Sequence, residues 1–137
     1  MRVIVCVDDR LGMIFNGRRQ SRDRVLCEDV IADLGEGQSL YLSEFSHKLF
    51  DFAEDRLCID DNFLDSAVSG DVCFVEDRAL APYLPKIDSL VIYRWNRHYP
   101  SDTTLDIDPV KSGFRLAEVR EFAGNSHERI TKEIYVR

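Results

Sequence analysis

Apolar residues in this chain come in short runs, each closed by a turn residue, and the period of the runs changes along the sequence. Arg2-Val3-Ile4-Val5-Cys6-Val7 is rich in β-branched residues and alternates only weakly, the pattern of a strand covered on both faces. Asp8-Asp9-Arg10-Leu11-Gly12 then turns the chain, and Asn16-Gly17 is a second breaker pair. From Ser21 to Leu34 the spacing becomes helical, with Leu26, Val30 and Leu34 four residues apart beside Cys27 and Ile31. Ser21 is placed to cap that helix, and Gly35 and Gly37 to stop it. Ser39 to Leu42 predicts a short strand, and Ser43 opens a second helix through about Phe52.

Leu57-Cys58-Ile59 predicts the next strand, Phe63 to Val68 a short helix ending near Gly70, and Val72-Cys73-Phe74-Val75 a buried strand. After a turn at Glu76-Asp77 a short helix is expected, closed by Pro85, and Leu90 to Trp95 follows as a strand. Thr103-Thr104-Leu105, Phe114 to Val119 and Ile130 to Val136 are also extended. The last two flank Gly124-Asn125-Ser126-His127 and predict a C-terminal hairpin. Helix and strand alternate early and strands dominate late. That order describes an α/β domain spanning residues 1–137, with a mainly parallel central sheet flanked by helices and a C-terminal antiparallel hairpin.

Composition narrows the function classes. A net charge of −7 argues against general nucleic-acid binding. No apolar run approaches the roughly 20 residues that span a bilayer, and the first apolar run reads as a strand rather than a leader. Cys6, Cys27, Cys58 and Cys73 form no C-x-x-C pair and lie within apolar runs, which predicts reduced, buried thiols and a cytoplasmic location. His47, His98 and His127 share no metal-ligand spacing, so no metal is expected. Charge is also uneven. Nine acids and one base lie between Asp51 and Asp77, whereas four arginines and one acid lie between Arg18 and Arg24.

Four stretches, taken in order, resemble the dihydrofolate reductase family over essentially the whole chain. They are Val3 to Met13 with Asn16, the helix from Ser21 with Asp23 in its first turn, Phe74 to Pro85 with Leu90-Val91-Ile92-Tyr93, and Glu121 to His127. The resemblance implies the reductase fold, and it implies that Asp23 stands where the family places the carboxylate that holds a pterin ring. The departures bear on activity. Where the family has consecutive glycines beside nicotinamide and pyrophosphate, this chain has Glu76-Asp77, two carboxylates in place of close backbone approach. Where the family has Gly-Arg-x-Thr, it has Ser43-Glu44-Phe45-Ser46, a phosphate partner turned into a repeller. The chain is also short between Phe52 and Leu57, and Gly17-Arg18-Arg19-Gln20 replaces the family's Leu-Pro-Trp. The expectation is therefore a pseudoenzyme without NADPH or any other cofactor.

The residues expected to bind a ligand are Asn16, Arg18, Arg19, Arg22, Asp23 and Tyr93, with Asp23 the candidate catalytic group. Arg18, Arg19, Arg22 and Arg24 beside a helix start suit a small anionic molecule, although the same arginines could pair with the acidic segment. Asp23 could equally be an acid that stabilises the helix start. Tyr93, Arg94, Trp95, Asn96, Arg97 and Tyr99 mix aromatics and arginines, as stacking surfaces do, and also read as a strand edge. His127, between Ser126 and Glu128, has the residue types of acid–base chemistry but reads more simply as a polar hairpin tip. Three functions stay open: binding of a small anion or a partner in the former substrate cleft; an enzyme of another class, a hydrolase or transferase on a phosphate-bearing or nucleotide-like substrate, using Asp23 and the Arg18–Arg24 loop; and a structural or oligomeric module, such as a homodimer, using the Trp95 edge.

Overall fold

The computed structural model describes Met1–Arg137. Its elements are β1 (Arg2–Val7), β2 (Gly12–Phe15), β3 (Arg18–Arg19), α1 (Arg24–Ala32), β4 (Leu40–Leu42), β5 (Leu57–Ile59), α2 (Phe63–Ser66), β6 (Val72–Phe74), β7 (Ser89–Arg94), β8 (Thr103–Thr104), β9 (Arg115–Phe122) and β10 (Ile130–Val136). Two 3-10 segments, Glu44–Arg56 and Ala81–Lys86, complete it. Seven strands form one sheet in the order β5-β4-β6-β1-β7-β10-β9. The strands from β5 to β7 run parallel, and β10 turns antiparallel to both β7 and β9. This is the mainly parallel sheet with a C-terminal hairpin that the pattern predicts. A small second sheet, β3-β2-β8, hangs beside it, and Asn16 and Gly17 take φ of 52° and 72° in the tight turn between β2 and β3.

Both faces of the central sheet are covered. On one, α1 and the Glu44–Arg56 segment pack Leu26, Val30 and Phe50 against Ile4, Phe74, Val91, Tyr93 and Trp95. On the other, Met13, Phe63, Leu64, Ile107 and Phe114 pack against Val3, Val5, Leu90 and Ile92. No helix is long and apolar enough to cross a membrane.

Three local expectations are corrected. The first helix begins at Arg24, with Asp23 rather than Ser21 as its N-cap, and ends at Ala32 rather than Leu34. The second is a kinked 3-10 segment, irregular at Phe50 and Ala53, because both must face the core; Phe50 is fully buried, edge-on to Phe74 at 4.9 Å. No helix starts at Glu76-Asp77: the chain runs irregularly to Leu80 and winds only from Ala81 to Lys86, which carries Pro82 and Pro85.

Candidate functional site

Two buried carboxylates organise the end of the sheet beyond Val7 and Arg94. Asp8 is 1% exposed and accepts from the Arg10 and Gly12 N–H groups at 2.9 and 2.7 Å, the Gln20 side-chain amide at 3.1 Å and the Tyr99 N–H at 3.1 Å. Gln20 also donates to the Pro100 carbonyl at 3.2 Å. One carboxylate therefore ties the β1–β2 turn, the bend after β3 and the 96–102 loop into one unit. Burial would raise its pKa, but this set of donors outweighs burial and lowers it.

Asp23, 2% exposed, does the same on the other side. It accepts from Leu26 N–H at 3.2 Å as a helix cap. It also accepts from the N–H groups of Asn125 and Ser126 at 3.2 and 2.9 Å and from the Ser126 hydroxyl at 3.1 Å. Its Oδ2 lies 3.3 Å from His127 Nδ1. Burial opposes the charge, yet the Ser126, Asn125 and Leu26 N–H groups hold the pKa down at about 2. So many inward donors leave this carboxylate little free valence for a ligand. The hairpin approaches it closely only because residue 124 is glycine: a Cβ there would meet Asp23 Oδ2 at 2.2 Å.

His127 is the residue that sequence reading understated. It is 4% exposed, and its ring stacks on Trp95 with centroids 4.6 Å apart. Its Nε2 lies 3.2 Å from Ser21 Oγ and 3.0 Å from the Tyr99 hydroxyl. A ring that donates from Nδ1 toward Asp23 presents Nε2 as an acceptor for either hydroxyl. The polar turn carrying it folds back onto the start of α1, which a local reading of Gly124 to Glu128 cannot show. Trp95, 4% exposed against this ring, offers no free edge for a partner.

Arg19 and Glu76 close the space between these groups and the 3-10 segment. Arg19 meets Glu76 through Nε at 2.8 Å and Nη2 at 3.1 Å, donates to the Phe45 carbonyl at 2.9 Å and lies 4.7 Å from the Phe45 ring centre. The Ser46 hydroxyl adds a 2.8 Å bond to Glu76. The cavity inside, shared by Cys6, Met13, Leu26, Leu49 and Phe74, holds about 20 Å³, the space of roughly one water.

The other candidate residues separate into two open clefts and one buried position. Arg22 and Asp23 line a cleft of about 590 Å³ between α1, the 3-10 segment and the hairpin turn, together with Arg24, Lys48, Asp51 and Asn125. Asn16 and Arg18 line a second, of about 290 Å³, with Phe15, Tyr99 and Pro100. Tyr93 joins neither: it is 1% exposed, and its hydroxyl donates to Asp29 Oδ2 at 2.6 Å. No group of three or more His, Cys, Asp or Glu side chains is arranged to hold a metal ion.

No protein-family model matches the chain, and no curated protein matches its sequence. Among solved structures it is similar to dihydrofolate reductase from Enterococcus faecalis complexed with NADP(H) and RAB-propyl. The TM-score is 0.67 at 10% identity, over 99% of this chain and 95% of that one. The fold is thus the dihydrofolate reductase fold in a chain of strongly diverged sequence.

Proposed function

We propose that this domain binds a small anionic ligand in the cleft between α1, the Glu44–Arg56 segment and the hairpin turn, and does not carry out NADPH-dependent reduction. The observation that carries the reading is the state of Arg22, Arg24 and Lys48. All three line that cleft, and none takes part in an ion pair, in a chain with 25 acids and 18 bases. Unpaired cations around a concave site are a standing attraction for a carboxylate or phosphate.

Support for the absent reduction comes from the opposite side. The Enterococcus protein of the same fold is complexed with NADP(H). Here Glu76 is engaged by Arg19 and Ser46, no helix N-terminus stands at Glu76-Asp77, and Glu44 keeps an exposed carboxylate nearby. The cavity left between Asp23 and Phe74 is far too small for a ring system. Four unpaired cysteines fit a reducing, cytoplasmic setting. A homodimer, if one forms, has better support at β9, an edge strand with Leu116 and Val119 about half exposed, than at Trp95.

Thermal shift separates these statements. Inorganic phosphate, citrate and small phosphate esters are expected to raise Tm saturably, less so at high salt, and Arg22→Ala/Arg24→Ala is expected to abolish the rise. NADPH at sub-millimolar concentration is expected to give no rise that survives this double variant. A saturable NADPH shift independent of Arg22 and Arg24, or dihydrofolate-dependent NADPH oxidation, would overturn the reading.

A further inference from the structure

We propose that Ser21, His127 and Asp23 form a nucleophilic site that cleaves a carboxylic ester bearing a second, anionic group. Hydroxyl, imidazole and carboxylate form a chain of contacts, with Ser21 Oγ 3.2 Å from Nε2 and Asp23 Oδ2 3.3 Å from Nδ1; the Tyr99 hydroxyl shares Nε2 at 3.0 Å and Ser126 Oγ shares Nδ1 at 3.0 Å. In this order the carboxylate fixes the ring and its tautomer, and the ring accepts the serine proton. Two members are held by something outside the array. Backbone N–H groups keep Asp23 in place, and Trp95 stacks on the imidazole. Ser21 makes no other side-chain hydrogen bond, so its hydroxyl is committed to Nε2 alone.

The surroundings supply what the step needs. Ser21 lines the small cavity between the two open clefts. That cavity shares Arg22 and Asp23 with the cationic cleft and Arg19 and Gln20 with the other. The N–H groups of Ser21 and Arg22 form no hydrogen bond within the chain, which leaves donors beside the hydroxyl for a developing oxyanion. Gln20 Oε1 is a buried side-chain acceptor with no partner, on a residue lining a space of one water's size, a seat suited to a hydrolytic water. Arg22, Arg24 and Lys48 would hold the anionic end of the substrate. This substrate preference rests on the anion reading above, whereas the nucleophile does not.

In the reaction Ser21 Oγ bonds to the ester carbonyl carbon and its proton passes to Nε2. The intermediate collapses, the C–O bond to the alcohol breaks, and the alcohol leaves with that proton. Water then adds to the acyl carbon, giving a proton to Nε2, and the acid departs as Ser21 is reprotonated. The balance is ester plus water to acid plus alcohol. Ser21 and His127 are the catalytic residues, and Asp23, which stays ionised, is a positioning residue.

A neutral fluorophosphonate probe tests the nucleophile without involving the anion cleft. Peptide mapping after labelling is expected to place the adduct on Ser21, and Ser21→Ala is expected to remain unlabelled while keeping its circular dichroism spectrum. His127→Gln is expected to slow labelling by about 100-fold. Should that variant not fold, turnover of p-nitrophenyl acetate decides instead, with Ser21→Ala expected to lose about 100-fold. A folded wild-type chain unlabelled at Ser21, labelling unchanged in folded His127→Gln, or ester turnover equal in Ser21→Ala overturns the proposal. Comparing p-nitrophenyl acetate with mono-p-nitrophenyl succinate then tests the anionic preference. Arg22→Ala/Arg24→Ala is expected to erase a succinate advantage. No succinate advantage in the wild type overturns the substrate assignment and leaves the nucleophile standing.

Discussion

Asp23 caps the start of a short helix and Asp29 lies within it; both face the same β9–β10 hairpin and are held ionised by different means. Asp23 has no cation beside it other than a ring that is charged only when protonated; backbone dipoles and a hydroxyl hold its charge. Asp29 accepts from the Tyr93 hydroxyl at 2.6 Å, Lys132 at 2.9 Å and Arg120 at 2.6 Å. Burial opposes both charges, and both pKa values are nevertheless lowered. The difference separates the roles. A carboxylate satisfied by fixed dipoles is immobile and can orient an imidazole, whereas one shared among long cationic side chains clamps helix to sheet and responds to salt.

Removing each carboxylate tests that division, and the largest effect is expected at Asp23. Asp23→Ala deletes a helix cap and strands the inward N–H groups of Asn125 and Ser126, a loss of about 3 kcal/mol or more in urea unfolding. Asp29→Ala strands the buried Tyr93 hydroxyl but leaves Lys132 its pair with Asp33, and the expected loss is about 2 kcal/mol. Added salt is expected to shrink the Asp29 loss and leave the Asp23 loss unchanged, since dipoles in a buried turn are not screened by ions. Equal salt sensitivity of the two variants would remove the distinction.

Acid sharpens the same comparison. Asp23 has a folded-state pKa below its unfolded one, so its contribution is complete above the ordinary carboxylate range of about 4 and is lost as pH falls toward about 2. Asp8 and Asp29 share the direction. Stability is therefore expected to fall from about pH 4 to about pH 2, with a shallower slope in Asp23→Asn measured by urea midpoints at each pH. An unchanged slope in that variant would mean that the carboxylate titrates alike folded and unfolded.

Much of the fold was legible because it depends on local period. The Val-Ile run of β1, the buried Val72-Cys73-Phe74 strand and the hairpin strands needed no tertiary information. The Glu44–Arg56 segment was not legible as a 3-10 helix, because Phe50 and Ala53 break its winding to reach a core that only the finished sheet creates. The site was half legible. Asp23 and the arginines stood out by charge and helix position, but Asp23 finds Ser126 and His127 more than 100 positions away, and no spacing rule connects them. Tyr93 shows the converse: its aromatic and arginine neighbours suggested a binding face, while strand register turned its ring into the core and its hydroxyl to Asp29.

The smallest effects should separate two adjacent arginines that the sequence presents as equals. Arg19 makes a two-point pair with a Glu76 side chain only 9% exposed, stacks on Phe45 and bonds its carbonyl. Arg19→Ala leaves Glu76 with the Ser46 hydroxyl alone, and a loss of about 1 to 2 kcal/mol is expected. Arg18, exposed and in no ion pair, is expected to change stability by less than about 0.5 kcal/mol as alanine. The pair also discriminates between the two sides of the site. Arg19→Ala frees Glu76 but adds no cation, so it is expected to leave NADPH without effect on Tm and phosphate binding at Arg22 and Arg24 intact. Arg19→Ala that is neutral in stability would show that Glu76 is solvated rather than sealed, and the closed side of the site would then be an open one.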